Sequence, residues 1–253
     1  MSLQGKVAIV TGSGVGIGRS IAERFAREGA SVVLAEVNAA SGKAAAEAIR
    51  AGGGDCFFSQ TDVSCEDDVR RVVDEARRRY GKIDVLCNNA AIMLSDKEAR
   101  AHELSREAWD RTLAVNLTGY WLCSKYVIPA MLEKRSGSII LVASPTGLLG
   151  FPKLTAYSAS KGGVFALMRA MAADYGPEGI RVNAIVPGTI DTPMNAKTLS
   201  TPENRARFAA MAPLGRLGSP DDLAGIALFL ASEDSAYCTG AVFAVDGGQT
   251  ATV

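Results

Sequence analysis

The stretch VTGSGVGIGRS, residues 10–20, follows the apolar run KVAIV and opens an amphipathic pattern. Four glycines stand at alternate positions, Gly12, Gly14, Gly16 and Gly18, and no window matches the dinucleotide fingerprint G-x-G-x-x-G. Glycines between a strand and a helix let main-chain N–H groups approach a phosphate, whose charge the helix dipole favours. Taken alone, the repeat fits a nucleotide loop and a plain strand-to-helix turn equally well.

An acidic residue at the end of the next apolar run favours the nucleotide loop. Glu36 lies twenty residues after Gly16, where a carboxylate accepts hydrogen bonds from the adenosine ribose; a solvated loop acid is the alternative. A 2′-phosphate about 4 Å from this carboxylate would cost on the order of 4 kcal/mol at an effective dielectric of 20. Because Ser13, Val15 and Val37 carry no positive charge, the sequence predicts NAD rather than NADP.

Apolar runs alternate with longer helical patterns along the whole chain. This alternation predicts an α/β fold, a single doubly wound Rossmann domain over 1–253 with about seven parallel strands and helices on both faces. A polar, Pro- and Met-containing stretch at 189–216 is predicted to be a substrate lid within it. The predicted strands are KVAIV, SVVLA, DCFFS, IDVLC, SIILVA, RVNAIV and AVFAV.

Composition argues against several other classes of protein. Lysine plus arginine equals aspartate plus glutamate, 27 each, which is atypical of a nucleic-acid binder. The basic run RRVVDEARRRYGK is interpreted as a solvated helix face. Five cysteines without a C-x-x-C pair and one histidine, His102, indicate reduced thiols and no metal site. We expect a cytoplasmic protein with no membrane partner, because the longest apolar run, AGIALFLA, is too short to span a bilayer.

Tyr157 and Lys161, in the stretch AYSASKGG, are four residues apart and share one helix face. Ser144 ends the preceding strand, so the three side chains are expected at one sheet edge; an ordinary surface pair is the alternative. The pKa of free tyrosine is about 10, and lowering it by two to three units needs roughly 3 to 4 kcal/mol. One ammonium about 5 Å away supplies on the order of 3 kcal/mol at a dielectric of 20.

With these motifs the chain resembles the short-chain dehydrogenases/reductases over essentially its whole length. Thr11, Gly12, Gly16 and Gly18 satisfy the family's T-G-x-x-x-G-x-G loop, and YSASK matches its Y-x-x-x-K. Further matches are NNAA from Asn88, AVNLTG with Asn116, Ser144 thirteen residues before Tyr157, NAIVPGTIDTPM, and VDGG at Asp246. Under this spacing Gly14 is the extra glycine, and we expect it to tolerate alanine better than Gly12 or Gly16.

The resemblance implies a role for each matched residue. Tyr157 exchanges a proton with the substrate oxygen, Lys161 lowers the tyrosine pKa and binds the nicotinamide ribose, and Ser144 hydrogen-bonds the substrate oxygen. Asn116 holds a water in a proton relay, with a simple interhelix hydrogen bond as the alternative. The implied cofactor contacts are Gly12, Ser13, Val15, Gly16, Ile17, Gly18, Glu36, Asp62, Val63, Asn89, Ala90, Ala91, Tyr157, Lys161, Pro187, Gly188, Thr189 and Thr192.

The predicted activity is NAD-dependent hydride transfer between nicotinamide C4 and a secondary alcohol or ketone. The alternatives are a 3-oxoacyl-carrier-protein ketoreductase and, in another class, a non-catalytic NAD-binding protein. The resemblance also implies a homotetramer. Apolar candidate pocket walls favour a neutral substrate, and the charged stretch at 93–107 is either a pocket rim or, the interpretation favoured here, a solvated loop. The candidate walls are Met93, Leu94, Pro145, Leu149, Phe151 and Met194.

Overall fold

The computed structural model describes residues 2–251; residues 1, 252 and 253 of the predicted 1–253 domain lie outside the described part. Seven strands form one sheet in the order β3-β2-β1-β4-β5-β6-β7, and every neighbouring pair is parallel. The predicted seven-stranded parallel sheet is therefore confirmed. The strands are β1 (Val7–Thr11), β2 (Ser31–Glu36), β3 (Cys56–Gln60), β4 (Val85–Asn88), β5 (Gly137–Val142), β6 (Ile180–Pro187) and β7 (Val242–Val245).

Helices cover both faces of the sheet, as the alternating pattern predicts. A π-helical turn at Ala114–Thr118 joins the helices Arg106–Leu113 and Gly119–Glu133 into one continuous helical segment. The α-helices are α1 (Gly16–Arg27), α2 (Ala39–Ala51), α3 (Glu66–Tyr80), α4 (Arg106–Leu113), α5 (Gly119–Glu133), α6 (Thr155–Tyr175), α7 (Pro202–Ala210) and α8 (Pro220–Ala231).

The strands supply two separate apolar cores because their side chains alternate between the faces. Ile9 of β1 packs with α3, α5 and α6 on one face, whereas Ala8 and Val10 pack with α1, α2 and α8 on the other. Burial on both sides explains why the runs of the five inner strands are almost wholly apolar, whereas the edge strands β3 and β7 are partly exposed.

Helix α3 contains most of the basic run and shows why it is a solvated face. Its buried side chains form one stripe, Val69, Val72, Val73 and Ala76, while its charged side chains lie on the other faces. Acidic residues occupy its first turn and arginines its last, which complements the helix dipole. The interpretation of this run as a solvated helix face is confirmed.

The sheet order reverses between β1 and β4, where the chain moves from one half of the sheet to the other. Ligands of doubly wound sheets bind beyond the carboxyl ends of the strands at such a switch point. No helix within residues 2–251 is long and apolar enough to cross a membrane. In the same range, no three His, Cys, Asp or Glu side chains are grouped so that they could hold a metal ion.

Candidate active site

The glycine loop passes from β1 to α1 with almost no room for side chains. Gly12 and Gly16 have positive φ angles of 62° and 57°, in the left-handed region that favours glycine. A Cβ at Gly12 would lie 2.8 Å from Ala90 Cα, and one at Gly18 would lie 2.2 Å from the Gly12 oxygen. Main chain rather than side chain therefore forms this surface.

Gly14 is also closely packed, but it lacks the positive φ that strains any side chain at Gly12 and Gly16, so its better tolerance of alanine than these two stays a prediction. A Cβ at Gly14 would lie 2.4 Å from Ser41 Oγ and 2.9 Å from Glu36 Cγ. At Gly16 the nearest atom, a Thr192 methyl, is 3.3 Å away. Gly14 is therefore needed for close packing against the acidic residue at the end of β2.

Glu36 is buried, and main-chain donors hold both of its carboxylate oxygens. Oε2 accepts from Gly14 N at 3.0 Å, and Oε1 accepts from Asn38 N at 2.9 Å. Each oxygen retains a further lone pair for a ligand hydroxyl. Arg19, the nearest basic residue of the loop, instead pairs with Glu23 on α1 at 2.7 Å.

A network of hydrogen bonds fixes the glycine loop to the end of β4. Thr11 Oγ1 accepts from Asn89 N and Ala90 N, both at 3.0 Å. In return, Asn89 Nδ2 donates to the oxygens of Thr11 and Gly12 at 3.1 and 3.0 Å. Two adjacent strand ends are thereby held together on either side of the switch point.

The residues predicted to contact the cofactor line a continuous groove across these strand ends. Ser13 and Gly18 are the exceptions: both are buried and do not line the groove among the described residues. One part of the groove is lined by Gly12, Val15, Gly16, Ile17, Glu36, Asp62, Val63, Asn89, Ala90, Ala91 and Thr192. The adjoining part is lined by Ile17, Asn89, Ala91, Ser144, Tyr157, Lys161, Pro187, Gly188, Thr189 and Thr192, among others.

The groove suits a dinucleotide carrying a pyrophosphate. Helix α1 begins at Gly16 with no side-chain cap and no acidic residue in its first turn, so its N-terminal N–H groups can face an anion. Main chain at four glycines forms most of the loop, and Glu36 offers two acceptors beside it. Ser13 Oγ is buried without a hydrogen-bond partner in the described part of the chain.

Tyr157 and Lys161 lie in the first turns of α6 and are both buried. Lys161 Nζ donates to the Val142 carbonyl at 2.7 Å and to Tyr120 Oη at 3.3 Å, and it lies 5.9 Å from the centre of the Tyr157 ring. Ser144, two residues after the end of β5, lines the same part of the groove.

Burial is the largest influence on the pKa of each member of this pair in the protein chain alone. It raises the pKa of the Tyr157 phenol to about 12, and a hydrogen bond with Ser144 lowers it only in part. It lowers the pKa of the Lys161 ammonium to about 7. In the protein chain alone, loss of hydration is therefore the larger effect, and the expectation that Lys161 lowers the pKa of Tyr157 stays a prediction.

Asn116 lies fully buried in the π-helical turn between α4 and α5, a local geometry that is frequent at functional sites. Its Oδ1 accepts from Ile92 N at 2.8 Å, and its Nδ2 donates to Ile92 O at 2.9 Å and to Ser160 Oγ at 3.2 Å. The alternative predicted for this residue, an interhelix hydrogen bond, is thus present. Asn116 joins the chain after β4 to helix α6, which carries Tyr157 and Lys161.

The stretch at 93–107 is more than the solvated loop favoured from sequence. Met93 and Ser95 line the groove beside Tyr157. Glu98 accepts from Ala156 N at 3.1 Å and from Tyr157 N at 2.8 Å, in a first turn whose own N-cap residue provides no side-chain bond. Sequence reasoning missed this cap because no local motif connects residues 59 positions apart.

The walls around Ser144 and Tyr157 are mostly apolar. Met93, Pro145, Phe151 and Met194 line this part of the groove as predicted, whereas Leu94 and Leu149 do not. The same lining contains further residues that were not predicted, namely Ser95, Thr146, Leu154, Ile190, Asn195, Thr198, Phe208, Met211 and Gln249. Of all residues lining this part, Lys161 is the charged one.

Comparison with known proteins identifies the family. The sequence profile described as "Enoyl-(Acyl carrier protein) reductase" matches residues 12–250. The chain is 44% identical over 253 residues to an uncharacterized oxidoreductase, YxbG, of Bacillus subtilis, covering 97% of this chain and 91% of that protein. This chain belongs to the short-chain dehydrogenase/reductase family. The resemblance noted in the sequence is therefore confirmed, and the family consists of oxidoreductases that bind a nicotinamide cofactor.

Two further relatives of this short-chain dehydrogenase/reductase carry informative names. This chain is 41% identical over 246 residues to the cis-4-hydroxycyclohexanecarboxylate dehydrogenase of Sinomonas cyclohexanicum, and the match covers 97% of each chain. A crystal structure of a putative NAD(P)-dependent gluconate 5-dehydrogenase from Beutenbergia cavernae, with NADP bound at low occupancy, superposes with a TM-score of 0.93. That structure is 38% identical and covers 99% of both chains.

Proposed function

We propose that this short-chain dehydrogenase/reductase uses NAD to transfer a hydride between nicotinamide C4 and a secondary alcohol or ketone. The observation that carries the proposal is the convergence of Ser144, Tyr157 and Lys161 on one end of a groove whose other end is the glycine loop. Ile17 and Thr192 line both parts, so a single extended ligand can reach from one to the other.

The proton is handled by the side chains at the carboxyl end of β5 and the start of α6. In alcohol oxidation Tyr157 takes the hydroxyl proton as general base, and in carbonyl reduction it returns that proton as general acid. Ser144 hydrogen-bonds the substrate oxygen, Lys161 provides positive charge, and Asn116 holds a water of the relay. When bound, the nicotinamide accepts or donates the hydride, and its oxidised ring adds a positive charge to the site.

NAD is the proposed cofactor because of Glu36. Its carboxylate lies at the groove end opposite Tyr157, where main-chain N–H groups hold both oxygens. Each oxygen can still accept from a ribose hydroxyl, whereas its negative charge would repel a 2′-phosphate. The neighbouring Arg19 is engaged with Glu23. We expect kcat/KM with NAD to exceed that with NADP, measured as reduced-cofactor absorbance with one alcohol substrate. A higher value with NADP would refute this assignment.

The proposed substrates are neutral, largely apolar alcohols or ketones, because the walls around Tyr157 are apolar. The second candidate is a 3-oxoacyl-carrier-protein ketoreductase, because a relative from Thermotoga maritima that is 38% identical over 250 residues is named 3-oxoacyl-(acyl-carrier-protein) reductase. A panel of secondary alcohols with NAD, run beside a 3-oxoacyl thioester with NADPH, separates the two. Faster turnover of the thioester would favour the second candidate.

A cofactor-binding protein without turnover is the remaining alternative, and Tyr157→Phe tests it together with the proposed mechanism. The variant is expected to retain NAD binding, since the phenol oxygen is the only heavy atom removed and the rest of the groove is untouched. We expect kcat to fall by at least about a hundredfold, the usual contribution of a general acid or base. NAD binding by calorimetry and NADH formation measure both effects. Turnover near the wild-type rate would disprove the role of Tyr157.

The proposal also covers the domain organisation, the assembly and the partners of the whole protein. The whole chain acts as one nucleotide-binding domain, with 189–216, which includes α7, as a lid over the substrate. The enzyme assembles as a homotetramer and works in the cytoplasm, with a small-molecule substrate and no nucleic-acid or membrane partner. Light scattering of the purified protein tests the oligomeric state, and a monomer would refute it.

A further inference from the structure

Tyr120 is a second buried tyrosine beside Lys161, on helix α5 rather than α6. Its side chain is completely buried, and its hydroxyl donates to the Val142 carbonyl at 3.0 Å. With its only proton committed there, the hydroxyl oxygen is free to accept, and Lys161 Nζ lies 3.3 Å from it. Both side chains therefore share one carbonyl at the end of β5.

This arrangement accounts for two of the three protons of the Lys161 ammonium. One goes to Val142 O at 2.7 Å and a second to Tyr120 Oη, which leaves one for the groove. Nζ also lies 5.1 Å from the centre of the Tyr120 ring, whose face attracts a cation. In the described part of the chain Lys161 has no carboxylate partner, so these contacts replace the hydration that burial removes.

We propose that Tyr120 is a positioning residue, whose hydroxyl is the second hydrogen-bond acceptor that keeps the Lys161 ammonium charged and fixed beside Tyr157. This inference rests on the proposed function for its catalytic consequence, but the contact between Tyr120 and Lys161 can be tested without turnover. The other titratable groups facing the cluster are Tyr157 on α6, Cys87 on β4 and Cys123 on α5. Burial raises the pKa of each of these three groups to about 12, so all remain uncharged at neutral pH.

Tyr120→Phe tests the inference, because it removes one oxygen and keeps the ring. Without that acceptor the neutral amine is favoured, so the pKa of Lys161 should fall by about one unit, the effect of one hydrogen bond to a charged group. The measurement is a pH titration of the ligand-free full-length chain labelled with ¹³C-lysine and followed by NMR. Lys161→Met identifies the Lys161 signal.

Tyr126→Phe is the matched control, since Tyr126 lies on the same helix and donates its hydroxyl to Glu66 at the surface. It should leave the titration of Lys161 unchanged. The same titration in Tyr120→Phe as in the wild type would overturn the inference.

The catalytic consequence is measured separately as the pH profile of alcohol oxidation. Reduced charge on Lys161 stabilises the Tyr157 phenolate less, so the apparent pKa for oxidation should rise in Tyr120→Phe and not in Tyr126→Phe. A variant that is only less well folded would lose activity equally at every pH. If the NMR titration shifts and the pH profile does not, Tyr120 still positions Lys161, and the coupling of Lys161 to Tyr157 in the proposed function is refuted.

Discussion

Gly14 shows how the absence of a side chain can determine the geometry of the glycine-loop end of the groove. Its N–H donates to Glu36, and its missing Cβ leaves room for that carboxylate and for Ser41. A methyl group at this position has to displace the Glu36 side chain, because the Cγ of Glu36 would be only 2.9 Å away.

Gly14→Ala should therefore raise KM for NAD by about fivefold, the loss of roughly one hydrogen bond of about 1 kcal/mol. The value of kcat at saturating NAD should change little, since Tyr157 lies at the other end of the groove. The control is Gly225→Ala on α8, where no atom lies within 4 Å of the new Cβ. Steady-state kinetics measures both variants, and an unchanged KM in Gly14→Ala would contradict the packing argument.

The buried ammonium of Lys161 should cost stability in a pH-dependent way. Burial lowers its pKa in the folded protein from 10.5 to about 7, so between these pH values the unfolded chain binds more protons than the folded one. The free energy of unfolding therefore rises as the pH increases from 7 toward 10. Below pH 7 the folded protein bears the full free-energy cost of burying the charged ammonium.

Lys161→Met should remove this dependence. We expect a higher melting temperature than wild type at pH 7, with a stability gain of up to about 5 kcal/mol for a pKa change of this size. The gain should shrink at pH 9, and turnover should be lost. Differential scanning calorimetry at the two pH values measures this, and an equal gain at both would contradict a charge effect.

Helix α6 depends on a cap supplied from a distant part of the chain. Both Glu98 oxygens accept main-chain N–H groups of its first turn, and one donor is Tyr157 itself. Thr155 Oγ1 also donates to Ala99 O at 2.8 Å, so the helix start and the 93–107 stretch are joined at three points. A carboxylate in this position also complements the helix dipole.

Glu98→Ala should lower stability by about 1–2 kcal/mol, the cost of losing a helix cap. It should also reduce kcat by more than it changes KM for NAD, because the main chain of Tyr157 loses its anchor while the glycine loop is untouched. Glu103→Ala, in the same stretch with an exposed side chain, is the control. Equal losses in both variants would show that Glu98 acts only through the loop's general stability.

The elements themselves could be predicted from sequence, and their long-range contacts could not. Seven runs of apolar residues identified seven strands, and the five inner strands are buried on both faces, which requires such a run. The Glu98 cap and the contact between Tyr120 and Lys161 join positions 59 and 41 residues apart, and neither leaves a local pattern. The close packing at Gly14 could not be predicted either, since only the folded chain brings Ser41 against the loop.

At the scale of the whole molecule, the sheet order brings the two parts of the groove together. The glycine loop follows β1 and Asn89 follows β4, on either side of the switch point, while Ser144 follows β5. Sequence order alone places these residues far apart, but parallel strands bring their carboxyl ends to one edge. The site could therefore be located from motifs and topology, whereas the substrate depends on walls contributed by loops and α7.

Those walls lead to a prediction about substrate charge. A carboxylate that enters the apolar part of the groove loses hydration, and the ammonium that lines it, Lys161, is already bound to Val142 and Tyr120. One relative is named for oxidising cis-4-hydroxycyclohexanecarboxylate, which provides a matched pair of ligands. We expect kcat/KM with NAD to be at least about tenfold higher for cyclohexanol than for that carboxylate, as one uncompensated charge costs more than 1.4 kcal/mol. Because the ring and the reacting carbinol are shared, a preference for the carboxylate would contradict this prediction and would require a cation outside the lining, such as Lys197, to reach the substrate.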